Sequence, residues 1–216
     1  LHSEKTNMET EDKDGIQHWY IPSLINKHTS IDWNIRNKMY YRNVVYLLRL
    51  KLRETDKLVF QLNYNYCIEL AKELRATFNC KIVSVIHSFG WCFDLFGNVT
   101  RFKKIISSIQ GTNHEDKLDM QIYNSYKEEK DYFELVDRIY CLSKNTQQIV
   151  HDDYQIKRNK TIVIYNGLTD IYPISNKTII RQKYHIPHIP IILFAGRIES
   201  NKGLKYALQA FRIVLK

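Results

Sequence analysis

Residues 81–86 read Lys-Ile-Val-Ser-Val-Ile, and His87 follows them. The run is almost entirely apolar and rich in β-branched side chains, which is typical of a strand buried on both faces of a parallel sheet. Outward from this strand, Tyr66–Thr77 shows helical periodicity and Lys57–Leu62 reads as another short strand. The same alternation predicts further strands at 16–21, 138–142, 161–165 and 191–195, and helices at 35–53, 101–109, 118–136, 145–151, 178–184 and 202–216. We therefore expect an α/β, Rossmann-like fold in which helices cover both faces of a parallel sheet.

The bulk composition is that of a soluble globular protein. The chain has 216 residues, 44% of them hydrophobic, so a sizeable core can form and disorder over most of the chain is excluded. The formal net charge of +9 favours anionic partners such as nucleic acid, acidic lipid or phosphorylated ligands, without choosing among them. The four cysteines lack disulfide or zinc spacing and are expected to be buried, reduced thiols.

The two ends of the chain suggest where it works and how much of a protein it represents. No apolar run reaches the ~18 residues of a membrane span, and residues 1–15 are too polar and acidic for a signal peptide. We therefore expect a cytoplasmic protein. Because the first residue is not Met and the last predicted helix still runs at Lys216, we also expect a fragment.

The segment 191–204 carries the strongest candidate site. A predicted strand ends at Gly196, Arg197 follows at once, and Lys202 and Gly203 open the last predicted helix. Free backbone N–H groups at a helix N-terminus suit a phosphate, and an arginine and a lysine beside them could hold a diphosphate. An ordinary strand–turn–helix with solvent-facing basic residues is an equal alternative from the pattern alone.

Glycines mark the edge of the sheet where a ligand is expected. Four of the seven glycines lie at or just past the carboxyl ends of predicted strands, and open parallel sheets bind ligands beyond those ends. These four are Gly90, Gly167, Gly196 and Gly203. Asn166-Gly167 is also a turn signal.

Three segments, in this order along the chain, resemble family 4 of the GT-B glycosyltransferases. Val83–His87 is similar to that family's strand ending in histidine, and 137–143 with 163–167 to its sequence of aspartate, strand, serine, helix, strand and Asn-Gly. Gly196-Arg197, Lys202-Gly203 and Ala210-Phe211 are similar to the start of the family's second domain. The resemblance covers roughly residues 57–216. It implies an N-terminal, acceptor-side domain at 1–175, a linker at 176–188 and a truncated donor-binding domain at 189–216.

The resemblance also implies a reaction and roles for single residues. The reaction would move a sugar from a nucleoside-diphosphate-sugar donor to a hydroxyl of a glycan or lipid-linked acceptor, with retention of anomeric configuration. Arg197 and Lys202 would bind the donor diphosphate, Gly196 would let backbone approach the donor, and His87 would contact the transferred sugar or the acceptor. A hydrogen-bonded structural histidine is the alternative for His87. Gly90, Asn166 and Gly167 would shape the cleft, and Ser143 would cap a helix.

The resemblance implies neither a cofactor nor a metal. Asp12-Lys13-Asp14 is formally the D-x-D metal motif of the other main glycosyltransferase fold, but no apolar strand precedes it, so we interpret it as a solvated turn. We expect the chain to be inactive on its own. The competing hypothesis is a non-catalytic, basic Rossmann-like module that binds nucleic acid or anionic membrane. The interleaved aromatic and basic residues of RNA-binding signatures are missing, so no nucleic acid is expected. A third alternative is another GT-B-like enzyme, such as a sugar-epimerising one, because the phosphate clamp is shared chemistry.

Two further patterns allow a second interpretation. On a helix over 35–53, four basic residues fall on one side, where they could contact anionic lipid at the inner face of the membrane or form a solvated face of a sheet-packing helix. These are Lys38, Arg42, Arg49 and Arg53. The aromatic residues at 89, 91, 93 and 96 could line an acceptor pocket or pack in the core.

Overall fold

In a computed structural model of the chain, the described residues are 7–22, 32–53, 57–63, 67–109, 116–168, 176–199 and 202–215. They form two compact units, Leu1–Tyr165 and Asn166–Lys216. The first unit contains a parallel sheet, a hairpin and most of the helices. The second contains two helices and the segment between them. The predicted domain and linker boundaries stay predictions.

The sheet of the first unit confirms the predicted parallel arrangement. Its four strands are β3 (Leu58–Leu62), β4 (Cys80–Ile86), β5 (Arg138–Cys141) and β6 (Thr161–Val163), and they pair in that order, each parallel to the next. Helices alternate with these strands along the chain, which is the connection that parallel pairing requires. The predicted strand at 161–165 is shorter than expected, because it ends at Val163.

Seven of the eight α-helices in the described residues lie close to where periodicity placed them, whereas α3 (Trp91–Asp94) was not predicted and lies in the aromatic segment after β4. They are α1 (Trp33–Lys51), α2 (Ile68–Thr77), α3 (Trp91–Asp94), α4 (Val99–Ser108), α5 (Lys117–Leu135), α6 (Lys144–Asp152), α7 (Lys177–Lys183) and α8 (Leu204–Val214). Side-chain oxygens of Asn98, Asp116 and Ser143 cap α4, α5 and α6 by accepting backbone N–H groups of the first turn. The predicted capping role of Ser143 is therefore confirmed.

A small antiparallel hairpin precedes α1. Strand β1 (Glu9–Lys13) pairs with β2 (Ile16–Tyr20), and Asp14 and Gly15 form the turn with φ angles of +54° and +75°. Only β2 was predicted, because β1 is polar on both faces and carries no alternation to detect. The solvated turn expected at Asp12–Asp14 is correct only for Asp14, since Asp12 and Lys13 belong to an exposed strand.

The core of the first unit surrounds β4. Residues 82–86 are all buried, as the apolar run predicted, and α2 and α5 pack against each other beside the strand. From α1, Tyr40, Tyr41, Val44 and Val45 are buried in the same core. Burial raises the pKa of the Cys67 and Cys141 thiols to about 11, so both stay protonated and are structural.

Asp137 ties the amino end of β4 to its surroundings. Its carboxylate accepts hydrogen bonds from the Ile82 N–H at 2.9 Å and from the Arg75 guanidinium at 2.6 Å, and Lys81 lies 3.1 Å away. Burial alone raises the pKa of Asp137, but the Ile82 N–H and the two cations outweigh it and lower the pKa below its ordinary value.

We predict that Asp137→Asn lowers the free energy of unfolding at pH 7 by about 1–3 kcal/mol, because it replaces charge-assisted hydrogen bonds by neutral ones. The native pKa is lowered, so this stabilisation is complete above the unfolded value of about 3.9 and is lost as the pH falls through the native value. Urea unfolding should show a smaller difference between wild type and variant at pH 3 than at pH 7. Asp131→Asn, at an exposed position of α5, is the control and should differ little from wild type at either pH.

The second unit contradicts one predicted strand. Among the described residues, 191–195 form no strand, and their apolar side chains are exposed, with Leu193 84% accessible. A parallel strand needs neighbouring strands for its backbone groups, and the described part of this unit provides none. The helix after this segment is present, and it is preceded by Gly203 in the left-handed conformation with φ +70°.

Candidate functional site

His87 lies where the buried central strand of the sheet reaches the surface. It follows Ile86, which is 1% exposed and pairs with Cys141 of β5, whereas His87 itself is exposed. The sequence predicted this placement, because parallel strands end at one edge and that edge is where such sheets bind ligands. A histidine there can donate or accept a hydrogen bond toward a bound molecule.

The backbone N–H of Gly90 is held by a buried carboxylate. This N–H donates to Oε1 of Glu129 at 2.8 Å, and Glu129 is only 2% exposed. The φ and ψ angles of Gly90 are −56° and −48°, an ordinary helical conformation. Gly90 therefore contributes a held N–H group to the start of α3, and its backbone angles do not require glycine.

Glu129 is the feature of this edge that sequence reasoning missed. Its Oε2 accepts a 2.5 Å hydrogen bond from the hydroxyl of Tyr154, which is 0% exposed. Burial raises the pKa of Tyr154 well above its ordinary value, and the nearby carboxylate raises it further, so the phenol remains a donor. The available signal was periodicity: residues 122, 126, 129 and 133 share one face of α5, and three of them are apolar or aromatic.

The aromatic segment after β4 divides between the core and the surface. Phe89 and Trp91 are buried and their rings stack at a centroid distance of 5.8 Å, so core packing is the correct interpretation for both. Phe93 and Phe96 are 60% and 71% exposed. For this second pair the acceptor-pocket hypothesis stays a prediction.

The chain after β6 is irregular. Asn166 and Gly167 are exposed, and the structure assigns no turn to them, so the predicted turn is wrong. A Cβ added at Gly167 would meet nothing within 4 Å. The expected cleft-shaping role of this pair stays a prediction.

In the second unit, Gly196 and Arg197 lie in the irregular stretch 196–199, and Lys202 and Gly203 directly precede α8. These described residues, 196–199 and 202–203, are called the loop below. Gly196 has φ +155°, which L side chains rarely adopt. The loop closes through two backbone hydrogen bonds of 3.0 Å, from the Glu199 N–H to the Arg197 carbonyl and from the Lys202 N–H to the Glu199 carbonyl. Ser200 and Asn201, whose residue types often cap a helix, lie outside the described residues.

Glu199 is a second acidic residue that sequence reasoning missed. Its Oε1 lies 3.0 Å from Nη1 of Arg197, whose side chain is 77% exposed. An ion pair this exposed contributes little stability. A bound phosphate would therefore compete with Glu199 for the guanidinium at small cost.

A groove of about 540 Å³ borders the same loop. It lies between the loop and one side of α8, and its lining is mainly apolar. The lining residues are Ile198, Glu199, Leu204, Lys205, Leu208, Gln209 and Arg212. The volume is within the range of small-molecule sites.

The basic residues of α1 are partly neutralised by α2. Arg42 Nε lies 3.1 Å from a Glu73 oxygen, and Lys38 Nζ lies 3.9 Å from Glu69. Two of the four cations proposed for a membrane contact thus face acidic side chains of the neighbouring helix. This pairing favours the interpretation of α1 as a helix with a solvated basic face.

Neither a metal-binding cluster nor a membrane-spanning helix is found in the described part of the chain. No group of three or more His, Cys, Asp or Glu side chains in that part could hold a metal ion. No helix there is long and apolar enough to cross a bilayer.

Comparison of the chain with protein-family models, with curated proteins and with solved structures finds no match in any of the three.

Proposed function

We propose that the chain is part of a GT-B glycosyltransferase that moves a sugar from a nucleoside-diphosphate-sugar donor to an acceptor hydroxyl. The observation that carries the proposal is the exposed His87 at the carboxyl end of a buried parallel strand, in a chain whose segments resemble the family in order. The loop with Arg197 and Lys202 at the start of α8 supports it as a diphosphate clamp. The acceptor would be a glycan or a lipid-linked glycan.

In this proposal the site residues either stabilise charge on the departing diphosphate or position the donor and the acceptor. Transfer breaks the bond between the anomeric carbon and the diphosphate oxygen, and the bonding electrons leave with the diphosphate. The anomeric carbon forms a new bond to the acceptor oxygen, and the proton of that hydroxyl passes to the departing diphosphate. Arg197 and Lys202 stabilise the charge that develops there, which lowers the barrier. His87 orients the sugar or the acceptor, Gly196 lets backbone approach the donor, and the cations replace a metal as the counter-charge.

The proposal is tested by nucleotide binding to the full-length protein. We expect UDP, GDP or ADP to bind at least about tenfold more tightly than the corresponding monophosphate, because only a diphosphate can engage both cations. Isothermal titration with and without EDTA measures this, and chelation should leave the affinity unchanged. Equal affinity for mono- and diphosphates would contradict the clamp.

The same preparation tests the competing module. RNA and vesicles containing anionic lipid are titrated at increasing salt, with neutral vesicles as the control. Steeply salt-dependent RNA binding without nucleotide binding would favour the non-catalytic hypothesis. Selective binding to anionic vesicles that Arg49→Ala weakens would support a peripheral membrane contact through α1.

A further inference from the structure

The loop that carries His87 is anchored on both sides by buried residues. Ile86 is held in the sheet, and Phe89 is 3% exposed and stacks on Tyr154 at a centroid distance of 5.4 Å. Between these two anchors lie only His87 and Ser88. The direction of His87 therefore depends on where the Phe89-Gly90 side of the loop is fixed.

We propose that Glu129 is a positioning residue that fixes this side of the loop by holding the Gly90 N–H, and so sets the direction of His87. The effect of Glu129 on sugar transfer rests on the proposed function, whereas the contact between Glu129 and Gly90 does not. The contact joins the middle of α5 to the loop beyond β4 at 2.8 Å.

The chemistry of the contact explains why a carboxylate occupies this position. Two neutral donors, the Gly90 N–H and the Tyr154 hydroxyl, point at one side chain inside an aromatic cluster. A charged acceptor makes stronger hydrogen bonds than a neutral one, and both bonds act in surroundings that exclude water. Burying a charge is unfavourable, so an apolar core alone would not favour glutamate here. The two donors that Glu129 holds, one of them in the His87 loop, account for glutamate at this position.

The decisive experiment is amide hydrogen exchange on Glu129→Gln. Glutamine has nearly the same shape and can still accept the Gly90 N–H, but without charge. We expect the Gly90 amide to exchange on the order of tenfold faster than in wild type, because the charged bond is stronger by about 1 kcal/mol. The ring Cε1–H resonance of His87 should shift in the same variant.

The chain offers a matched control at the other end of the same strand. There the Ile82 N–H is held by the Asp137 carboxylate. Asp137→Asn also lowers the overall stability, so it should accelerate exchange at Ile82 more than at Gly90 and leave the His87 resonance unchanged. Glu129→Gln should accelerate exchange at Gly90 more than at Ile82. Equal acceleration at both amides in both variants would mean general destabilisation and would overturn the proposal.

Two measurements keep the proposal testable if Glu129→Gln does not fold. Wild-type protein should show a scalar coupling across the hydrogen bond between the Gly90 nitrogen and the Glu129 carboxyl carbon, and its absence would overturn the contact. Tyr154→Phe removes the second donor but keeps the ring, so Gly90 should stay protected. If the Gly90 amide exchanged as fast in Tyr154→Phe as is expected for Glu129→Gln, the aromatic cluster and not Glu129 would be the anchor of the loop.

Transfer kinetics separate this proposal from the proposed function. If the full-length protein transfers sugar, Glu129→Gln should lower kcat while leaving the donor KM near wild type, because the diphosphate site is untouched. An unchanged kcat alongside faster Gly90 exchange would show that the loop position does not matter for transfer, and would overturn the positioning role. Failure of the wild-type protein to transfer sugar would overturn the proposed function and leave the exchange result standing.

Discussion

Phe102→Ala should lower the free energy of unfolding by about 3–5 kcal/mol, the usual cost of truncating a buried aromatic side chain. Phe102 is 0% exposed, and its ring stacks on Trp91 at a centroid distance of 4.4 Å and meets Tyr126 edge-on at 5.8 Å. Removing the ring leaves a cavity between flat neighbours that cannot collapse into it. Domains of this size have about 5–15 kcal/mol of stability in total, so the variant loses a large fraction of it.

The matched control is Phe93→Ala. Phe93 is 60% exposed, and surface substitutions usually change stability by less than about 0.5 kcal/mol. Urea unfolding followed by circular dichroism and by tryptophan fluorescence measures both variants. A similar loss of stability in the two would contradict the division of these aromatic side chains between core and surface.

This comparison bears on function as well as on folding. The same cluster contains Phe89 and Tyr154, which fix the far side of the His87 loop. Stability of the cluster and placement of His87 are therefore coupled. A partly destabilising variant such as Phe102→Leu should loosen the loop before the sheet unfolds.

Much of the fold could be predicted, because local sequence carries most of the signal for buried elements. The run at 81–86 has apolar side chains on both faces of the strand. This pattern is favourable only in a central strand, where both faces are buried. Ser143 follows a strand and precedes polar helix formers, which is a local capping pattern. The exposed position of His87 at the strand end follows from the same reasoning.

The prediction failed where the deciding partner is not local. The apolar run at 191–195 resembles the one at 81–86, but a strand also requires neighbours to receive its hydrogen bonds. The missed strand Glu9–Lys13 is the opposite case, since pairing with Ile16–Tyr20 through a tight turn holds it although its side chains are exposed.

At the candidate site the basic residues were predicted from the sequence, but two acidic residues were not. Glu129 holds the Gly90 N–H, and Glu199 pairs with Arg197. Glu129 is four residues before Phe133 on a helix, and nothing local shows that Gly90 will lie against it. Glu199 is two residues from Arg197, so this ion pair is local in the sequence and could have been predicted. Cations are expected partners of an anionic ligand, whereas a carboxylate that competes with that ligand is recognised from its contact with the cation in the folded chain.

Arg197→Ala in the full-length protein should lower sugar transfer on the order of 100- to 1,000-fold, the typical loss when one preorganised donor to a developing charge is removed. The guanidinium is 77% exposed and bound only loosely to Glu199, so it is available to a diphosphate. Its fork of donors can bind two phosphate oxygens at once, which the single ammonium group of a lysine does not do. For the same reason Arg197→Lys should recover only part of the activity.

Two further variants decide whether the loss comes from the proposed clamp. Lys183→Ala removes an exposed cation of the same unit outside the loop, and it should leave transfer and nucleotide affinity near wild type. Glu199→Gln removes the carboxylate that competes for Arg197, so diphosphate should bind about two- to fivefold more tightly, in keeping with the small strength of an exposed ion pair. Near-wild-type transfer in Arg197→Ala would overturn the role of Arg197 in the diphosphate clamp, whereas absence of transfer by the wild-type protein would overturn the glycosyltransferase proposal. Weaker diphosphate binding in Glu199→Gln would mean that the ion pair organises the loop for its ligand, because in that case the carboxylate would be holding Arg197 in place.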